Sequence, residues 1–445
     1  MYKENKKLEK LLRLGRKIIP KRLFCLGQPV YHWGLSNLGA ARYRWPSSSF
    51  LAELGLGKPS HRMKVIGVTG THGKSTTVLM ISKIFEEAGY RVAAIGSLGM
   101  KIVDKEWENT VKMTMPGRMK LQHFLAEAKA AGCQFVILEV TSEGLAQMRH
   151  IGIQFDCAVL TNIGREHIES HGSFEKYLAA KQKLFRRTQN IHILNGDDAY
   201  IETFNKFKTK KKLFYGWENG DITAIEVKPQ VQVPGRFNIY NALAALTVAK
   251  AYGLDIMRAK DVLEKIDSVP GRMEFIQKEP FNVVVDYAHT PDSLEAVYKE
   301  LRSWLGGSDV SVGASTQTRR LICVLGATGG GRDKWKRPVY GEIASKYCDE
   351  IILTNEDPYD EDPLDIINQI ESGITEVKKS ATNVVLDRRA AIEAGIRHAQ
   401  PGDSVIITGK GSEILMAMAN DMKIPWSDKD IAQEILGTLQ ERLIR

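Results

Sequence analysis

Residues 67–76 read GVTGTHGKST, and this stretch decides the architecture. It grows out of a short apolar run, VIGVTG at 65–70, and opens a helical pattern from about Ser75 to Ala88. A short apolar run bounded by glycine predicts a buried strand, and the turn that follows delivers the chain into a helix. The spacing is close to GxxxxGK[ST], with Gly73, Lys74 and Ser75 in place. The first glycine of that pattern would fall at Val68, which Gly67 and Gly70 flank. Backbone N–H groups from Gly70 through Thr71 to Gly73, with the positive end of the helix, make a cradle for phosphate oxygens. Lys74 is then expected at the terminal phosphates, the Ser75 hydroxyl near Mg²⁺, and Thr76 beside it. A chance glycine turn is the alternative, and the strand–turn–helix context argues against it.

Outward from this stretch, FVILEV (135–140) and CAVLTN (157–162) are further short apolar runs that end in polar residues. Strands alternating with helices predict an α/β fold with a parallel sheet covered on both faces, its ligands at the carboxyl ends of the strands. A second α/β block begins near Gly271, with strands expected in 282–289, 320–327, 350–356 and 403–411. The Gly/Ser/Thr-rich stretch 306–318 reads as an exposed loop. Three segments are therefore expected: 1–62, 63–270 and 271–445. A chain of 445 residues is too long for one compact core, which agrees with that division.

Charge is unevenly placed. Residues 1–62 hold thirteen Lys/Arg against three Glu, an excess of +10 in a chain whose total is +9, so the remainder stands at −1. Leu8, Leu11, Leu12, Leu14 and Ile18 among these basic residues suit an amphipathic helix, which Pro20 ends, and an aromatic-rich stretch follows at 28–56. Such a leader is either a solvated basic helix or a segment drawn to an anionic membrane surface. Nucleic-acid binding is not expected, since no motif for it accompanies the charge. Five scattered cysteines without a CxxC pair point to a reducing compartment and away from a disulfide framework or a zinc site. With no apolar run near the roughly 18 residues of a membrane span and no signal pattern, a cytoplasmic protein is expected, peripheral to the inner face of the membrane if the leader binds there.

Longer stretches carry a resemblance. GTHGKSTT (70–77), LEVTSEGLAQMRH (138–150), TNIGREHIESHGSFEKYLAAKQKLF (161–185), GRFNIYNALAA (235–245), VPGRME (269–274), VDYAHTPDSLE (285–295), GATGGGRDKWKRP (326–338), DPYDEDP (357–363) and GKGSE (409–413) occur in that order. The order and content are similar to the Mur ligases over about residues 63–430, nearest to the UDP-N-acetylmuramoyl-tripeptide synthetases. The resemblance implies a P-loop central domain and a Rossmann-like C-terminal domain behind a short helical basic segment. It implies an ATP-dependent enzyme that activates a carboxylate as an acyl-phosphate and joins it to an amino acid's amine, in cell-wall precursor synthesis. Phosphoryl transfer of this kind depends on cations that stabilise negative charge.

Residue by residue, the resemblance places Glu139 and His167 as Mg²⁺ ligands with Ser75, and Lys181 as a lysine that becomes carbamylated to help hold two Mg²⁺ ions. Taken alone, His167 would more simply be structural and Lys181 an ordinary basic helix residue. Asn238 and Asn241 match the adenine segment, and Arg272 and Asp286 match positions near the ribose and phosphates. Thr114, Thr141, Gln147 and Arg149 match contacts to a UDP-muramoyl-peptide, and Asp357 and Glu413 contacts to the acceptor. A guanidinium such as Arg149 can pair bidentately with phosphate or carboxylate. Glu166 is expected behind the metal ligands. Lys336 and Arg337 are expected at anionic substrate groups, with an exposed basic pair of no role as the alternative.

The family pattern fails in places. Only 62 residues stand where the resemblance implies a uridine-binding domain, so a UDP-N-acetylmuramoyl-peptide-like precursor is expected without the usual mode of uridine recognition. Tyr359 stands where arginine would meet the distal carboxylate of diaminopimelate, Ser412 and Glu143 each stand where histidine is usual, and His72 replaces asparagine. The competing readings are a folylpolyglutamate-synthetase-like or other amide ligase of the same superfamily, and a nucleotide-binding module without catalysis. For the leader, removal of residues 1–25 should abolish binding to anionic liposomes at low salt in a co-sedimentation assay, because attraction of roughly 1 kcal/mol per basic residue is screened by salt. Unchanged sedimentation would leave only the solvated helix.

Overall fold

The computed structural model describes Gly34, Ser60 and residues 63–110, 113–166, 168–305 and 319–444. The basic leader with residues 1–25, most of the aromatic stretch 28–56, the loop 306–318 and His167 lie outside the described residues.

The first unit is a nine-stranded sheet. Its strands are β1 (Lys64–Thr69), β2 (Val92–Gly96), β3 (Gly99–Ile102), β4 (Lys105–Trp107), β5 (Phe135–Glu139), β6 (Cys157–Leu160), β7 (Ile191–Asn195), β8 (Lys211–Gly216) and β9 (Ile222–Thr223). They lie in the order β4-β3-β2-β5-β1-β6-β7-β8-β9. β1 pairs in parallel with β5 on one side and β6 on the other, so the chain that leaves β1 emerges between two other strand ends. That is where a doubly wound sheet opens a crevice.

Alternation along each strand sends side chains to both faces. Ile66, Val68, Ile137, Val159 and Ile193 pack one way, onto the helices Lys74–Glu87 and Arg236–Ala251. Val65, Val136, Leu138, Ala158 and Leu160 pack the other way, with Leu121, Phe124 and Leu125 of Arg118–Ala130 and Leu184 and Phe185 of Phe174–Arg187. Burial on both faces explains why these strands read as unbroken apolar runs.

The second unit is a six-stranded sheet in the order β10-β11-β15-β12-β13-β14. Its strands are β10 (Glu274–Gln277), β11 (Asn282–Asp286), β12 (Leu321–Leu325), β13 (Glu350–Leu353), β14 (Thr382–Val384) and β15 (Ser404–Thr408). Helices Pro291–Leu305, Lys336–Tyr347 and Pro363–Glu371 cover one face, and Arg388–His398 and Asp428–Ile444 the other.

The expected parallel pairing runs through the centre of both sheets, and each sheet adds an antiparallel edge that the sequence did not announce. β3 and β4 add an antiparallel extension to β2, and β10 runs antiparallel to β11. β3 and β4 are short and largely exposed, so no apolar run announced them. A correction concerns the cysteines. Cys323 on β12 and Cys348, just after the helix Lys336–Tyr347, form a disulfide. They are 25 residues apart and follow no spacing rule; the helix crossing from β12 to β13 returns one beside the other. Cys133 and Cys157 are free and buried. No helix among the described residues is long and apolar enough to cross a membrane.

One buried ion pair ties the last helix to the floor of the second sheet. Arg388 donates to Asp428 at 2.9 and 2.7 Å and to the Thr408 carbonyl at 2.8 Å, with both side chains almost fully buried. Trp426 donates to the same carboxylate at 2.8 Å. Removing one partner strands the other charge in the core. Arg388→Ala should therefore destabilise the second unit by about 3–5 kcal/mol, read as an earlier urea transition in a circular-dichroism melt. A shift under about 1 kcal/mol would mean that water reaches Asp428.

Candidate active site

A cleft of about 950 Å³ lies between the two units. The turn after β1 forms one wall. Gly70 has φ 155° and Gly73 φ 79°, and both are hemmed in: a Cβ would lie 1.8 Å from Thr161 Oγ1 at Gly70 and 2.1 Å from Asn241 Oδ1 at Gly73. Only glycine permits that turn. The helix Lys74–Glu87 begins there without a side-chain cap, so its first N–H groups face the cleft's anion cradle. Lys74 Nζ donates to the carbonyls of Gly70 at 3.1 Å and Thr71 at 2.7 Å. Thr71, Ser75 and Thr76 also line the cleft.

The ends of β5 and β6 stand next to this turn. Glu139 Oε2 accepts from the Ser75 hydroxyl at 3.0 Å and from the Ser97 amide at 2.8 Å. Asn162, after β6, brackets His72: its Oδ1 accepts from the His72 amide at 2.9 Å, and its Nδ2 donates to the His72 carbonyl at 3.1 Å. The His72 imidazole is pushed down to about 4, by burial first and then by Lys74, against the raising effect of Glu166. It is neutral at ordinary pH.

Lys181 lies beneath the turn. Its amine is buried, donates to the Gly70 carbonyl at 2.6 Å and lies 4.7 Å from the centre of the Tyr177 ring. Tyr177 in turn meets Thr71 Oγ1 at 2.7 Å. Burial drives the Lys181 pKa well below the ordinary lysine value, with Lys74 adding to it and Glu166 and Glu139 opposing it only in part. A lysine held neutral is a nucleophile, the form that can add carbon dioxide.

The second unit supplies the facing wall. Arg272 reaches the Ser75 hydroxyl at 3.4 Å and stacks on Tyr287 at 4.1 Å. Asp286 spends both oxygens on backbone, accepting from the Met273 and Ala288 amides at 2.6 Å each, so it shapes the loop that aims Arg272. Its carboxyl is pushed up by burial, with Arg272 opposing. Asn238 and Asn241 join each other at 3.0 Å at one end of the cleft, where Tyr240 and Asp197 pair at 2.8 Å.

Thr114, Thr141 and Arg149 also line the cleft. Thr114 meets Ser97 Oγ at 2.8 Å, and Thr141 caps a short helix by accepting from the Gly144 amide at 3.0 Å. Arg149 is braced by Gln147 Oε1 at 3.1 and 2.6 Å and by the Met115 carbonyl. Asp357 and Glu413 share the buried Lys410 at 2.9 and 2.7 Å. Gly70, Lys181 and Gln147 lie behind the lining instead of in it. Arg337 is a correction: it is fully buried, clamped by Glu361 and Gln369, and has no face toward the cleft. Lys336 does line the cleft, donating to the His289 carbonyl at 3.0 Å.

Sequence reasoning passed over several lining residues. His289 meets Glu166 at 3.2 Å across the two units, and Asp333 donates its amide to Glu169 at 2.6 Å. Ser97, Asn162, Asp197 and Glu356 also belong here. Asp197 and Glu356 sit just past strand ends, so the strand-end rule applied there too would have found them.

Two outcomes follow from this geometry. Gly70→Ala should lose nucleotide binding in calorimetry, whereas Gly89→Ala, at a positive φ with open space around it, should bind normally at a strain cost of about 1 kcal/mol. Equal affinity in the two variants would refute the cradle. Lys181 holds fewer protons folded than unfolded, so wild-type stability should rise with pH from 7 toward the unfolded value of about 10.4. Lys181→Met should flatten that rise in melts run in CO₂-free buffer; an unchanged slope would mean the amine is charged when folded.

Comparisons place this geometry in a family. Residues 68–249 match the model of the Mur ligase middle domain and residues 271–411 that of the Mur ligase, glutamate ligase domain. The UDP-N-acetylmuramoyl-L-alanyl-D-glutamate–2,6-diaminopimelate ligase of Syntrophomonas wolfei is 35% identical over 412 residues, covering 87% of this chain and 81% of that protein. The UDP-N-acetylmuramyl-tripeptide synthetase of a Roseiflexus species is 33% identical over 428 residues, covering 87% and 81%. A solved structure of a UDP-N-acetylmuramoyl-L-alanyl-D-glutamate–2,6-diaminopimelate ligase superposes with a TM-score of 0.58 at 28% identity, over 90% of this chain and 83% of that one. MurF from Acinetobacter baumannii shares the fold at a TM-score of 0.61 and 18% identity, over 85% of this chain and 77% of that one. Mur ligases use ATP and Mg²⁺ with muramoyl-peptide and amino-acid substrates. With both family models matched in order and relatives aligned along most of its length, this chain belongs to the Mur ligases and is an ATP-dependent enzyme that forms amide bonds.

Proposed function

We propose that the chain adds an amino acid to the terminal carboxylate of a UDP-N-acetylmuramoyl-peptide-like precursor. The reading is supported above all by one juxtaposition: Glu139 bridges the Ser75 hydroxyl and the Ser97 amide beside buried Lys181, and Arg272 faces them from the second unit. Residues 63–270 act as the ATP-binding unit and residues 271–445 as the acceptor-carrying unit.

The phosphate turn and Lys74 bind the triphosphate. Asn238 and Asn241, with the Tyr240–Asp197 pair beside them, wall the adenine end. Thr114, Thr141 and Arg149 orient the donor, whose carboxylate oxygen displaces ADP from the γ-phosphorus. The amine of the incoming amino acid then attacks the acyl carbon, and inorganic phosphate leaves. Ser75 and Glu139 are hard oxygen donors of the kind Mg²⁺ accepts alongside phosphate oxygens. They, with His167 and a carbamylated Lys181, would hold two ions that offset the charge developing on the transferred phosphoryl group. The positive charge of residues 1–62 supports a position at the inner face of the membrane.

Phosphate release should require both UDP-N-acetylmuramoyl-L-alanyl-D-glutamate and an amino acid. No substrate-dependent release would favour a nucleotide-binding module over a ligase. Lys74→Ala should lower kcat by about 10³-fold, the scale of losing a charge placed on a transition-state oxyanion. Lys181→Ala should regain part of its rate with added formate or acetate, and no recovery would remove the carbamate from the scheme.

A further inference from the structure

Basic residues of the first unit gather at one end of its sheet. Arg186 and Arg187 close the helix Phe174–Arg187, and Lys206, Lys208, Lys210 and Lys211 lead into β8; all six are exposed. The Lys210 amide donates to the Gln189 carbonyl at 3.0 Å and the Lys211 amide to the Asn190 carbonyl at 2.8 Å, so the two segments lie side by side. Phe207 draws two of the charges together: its ring centre is 5.8 Å from the Arg186 guanidinium and 5.5 Å from the Lys206 amine. None of the six has an ion-pair partner among the described residues. Asp156, at the same end of the sheet, is already engaged by Lys64 at 3.1 Å, Asn190 at 2.7 Å and Tyr252 at 2.7 Å. Residues 63–445 total −1, so those outside the six total −7. Like charge collected on an otherwise acidic body repels itself and attracts an anionic partner.

The place of the patch narrows that partner. β7 and β8 start beside it, in parallel register with β6 and β1, so it lies at the strand ends opposite the phosphate turn, about 20 Å away along β1. No patch residue lines the cleft. Residues 1–62 enter the fold at this same end, where the Gln154 amide donates to Ser60 Oγ at 3.3 Å and β1 begins two strands from β7. At the usual strand spacing that entry point is roughly 10–15 Å from the patch. A nucleic-acid strand asks for a groove with open aromatic faces, but Phe207 packs into the core beneath the patch and its ring already serves two cations. A field of anionic headgroups asks only for charge, which the basic leader brings to the same end.

We propose that the end of the helix Phe174–Arg187 and residues 206–211 form a docking surface for an anionic phospholipid bilayer, which leaves the cleft facing away from the lipid. The surface is a folded contact additional to the leader, and it does not depend on the ligase reading. One weak attachment gives marginal, reversible binding, whereas two together hold a protein at a membrane.

Binding of the full chain to vesicles of phosphatidylglycerol mixed equally with phosphatidylcholine is measured by co-sedimentation at low salt. The side chains of Arg187, Lys208 and Lys210 make no hydrogen bond or ring contact among the described residues, so changing all three to Gln should leave the melting temperature unchanged. That variant should lose about 100-fold in partition coefficient, about fivefold for each charge. Its phosphate release should match wild type, since the patch lies outside the cleft. Changing Lys299, Lys379 and Lys423 to Gln removes the same charge from exposed positions of the second unit and should leave vesicle binding at the wild-type value. If the first triple variant does not fold, Lys208→Gln alone should still cost about fivefold. Wild-type binding by the patch variants would overturn the proposal and leave the leader as the membrane contact. Equal losses in the two triple variants would also overturn it, because net charge would then act without a surface. A larger patch-dependent loss on single-stranded RNA than on vesicles would make the patch a nucleic-acid surface instead. No vesicle binding by the wild-type chain would overturn patch and leader together and leave the ligase reading, which phosphate release tests.

Discussion

Burying an amine without a carboxylate beside it is unfavourable, and this protein does so directly beneath its phosphate turn. Among the described residues Lys181 donates to the Gly70 carbonyl and lies against the face of Tyr177, while Glu166 and Glu139 act on it through their charge alone. The arrangement holds because the helix Phe174–Arg187 is anchored on both sides of that lysine, by Tyr177 and Ala180 before it and Leu184 and Phe185 after it. The packing energy of these side chains, about 1.5–3 kcal/mol for each large one, can carry an amine into a place it would not choose. The turn therefore has two amines against it, Lys181 below and Lys74 at the start of the helix. Lys74 contributes to holding the buried amine neutral, and a neutral amine is the one that can be converted to an anion.

The second unit completes what the first begins. Arg272 touches Ser75, His289 meets Glu166, and the Asp333 amide meets Glu169, so three contacts from separate loops reach the phosphate turn and the segment that follows β6. Each contact alone is worth little at a partly open surface. Together they fix the distance between the wall built by the turn after β1 and the wall built by the second unit. Two reactants brought together this way no longer depend on chance encounter, which is the main contribution a scaffold makes to a displacement reaction. Asp286 shows how indirect the control is. Its two oxygens are spent on backbone amides, and its effect reaches the site through the loop that carries Arg272.

Much of this was legible in the sequence because the signals were local. The apolar run into the turn at 67–76 gave the strand, the turn and the helix together, and the polar ends of 135–140 and 157–162 marked where a ligand would sit. Contacts made across the chain were not legible. Arg337 reads as a basic residue beside Lys336, but a helix sends adjacent residues in different directions, and one turned inward to Glu361 while the other faced the cleft. Cys323 and Cys348 meet only because a helix crosses between adjacent strands. The exposed strands β3 and β4 carry no apolar run from which to be read.

The residues that depart from the family pattern are informative by where they fall. His72 sits in the phosphate turn, yet its backbone is held by Asn162 on both sides and its ring is neutral, so the cradle keeps its shape and gains no charge. Tyr359 and Ser412 lie in the turns of the far wall instead. There the backbone carries the unusual conformations, with φ 36° at Asp357, 52° at Tyr359 and 109° at Gly409. Tyr359 and Ser412 lie outside the strands, so their side-chain chemistry can change without altering a sheet. The phosphate wall has no such freedom, since two of its glycines are closed in by Thr161 and Asn241. Substrate preference can therefore drift at one wall while the ATP chemistry at the other stays fixed by packing.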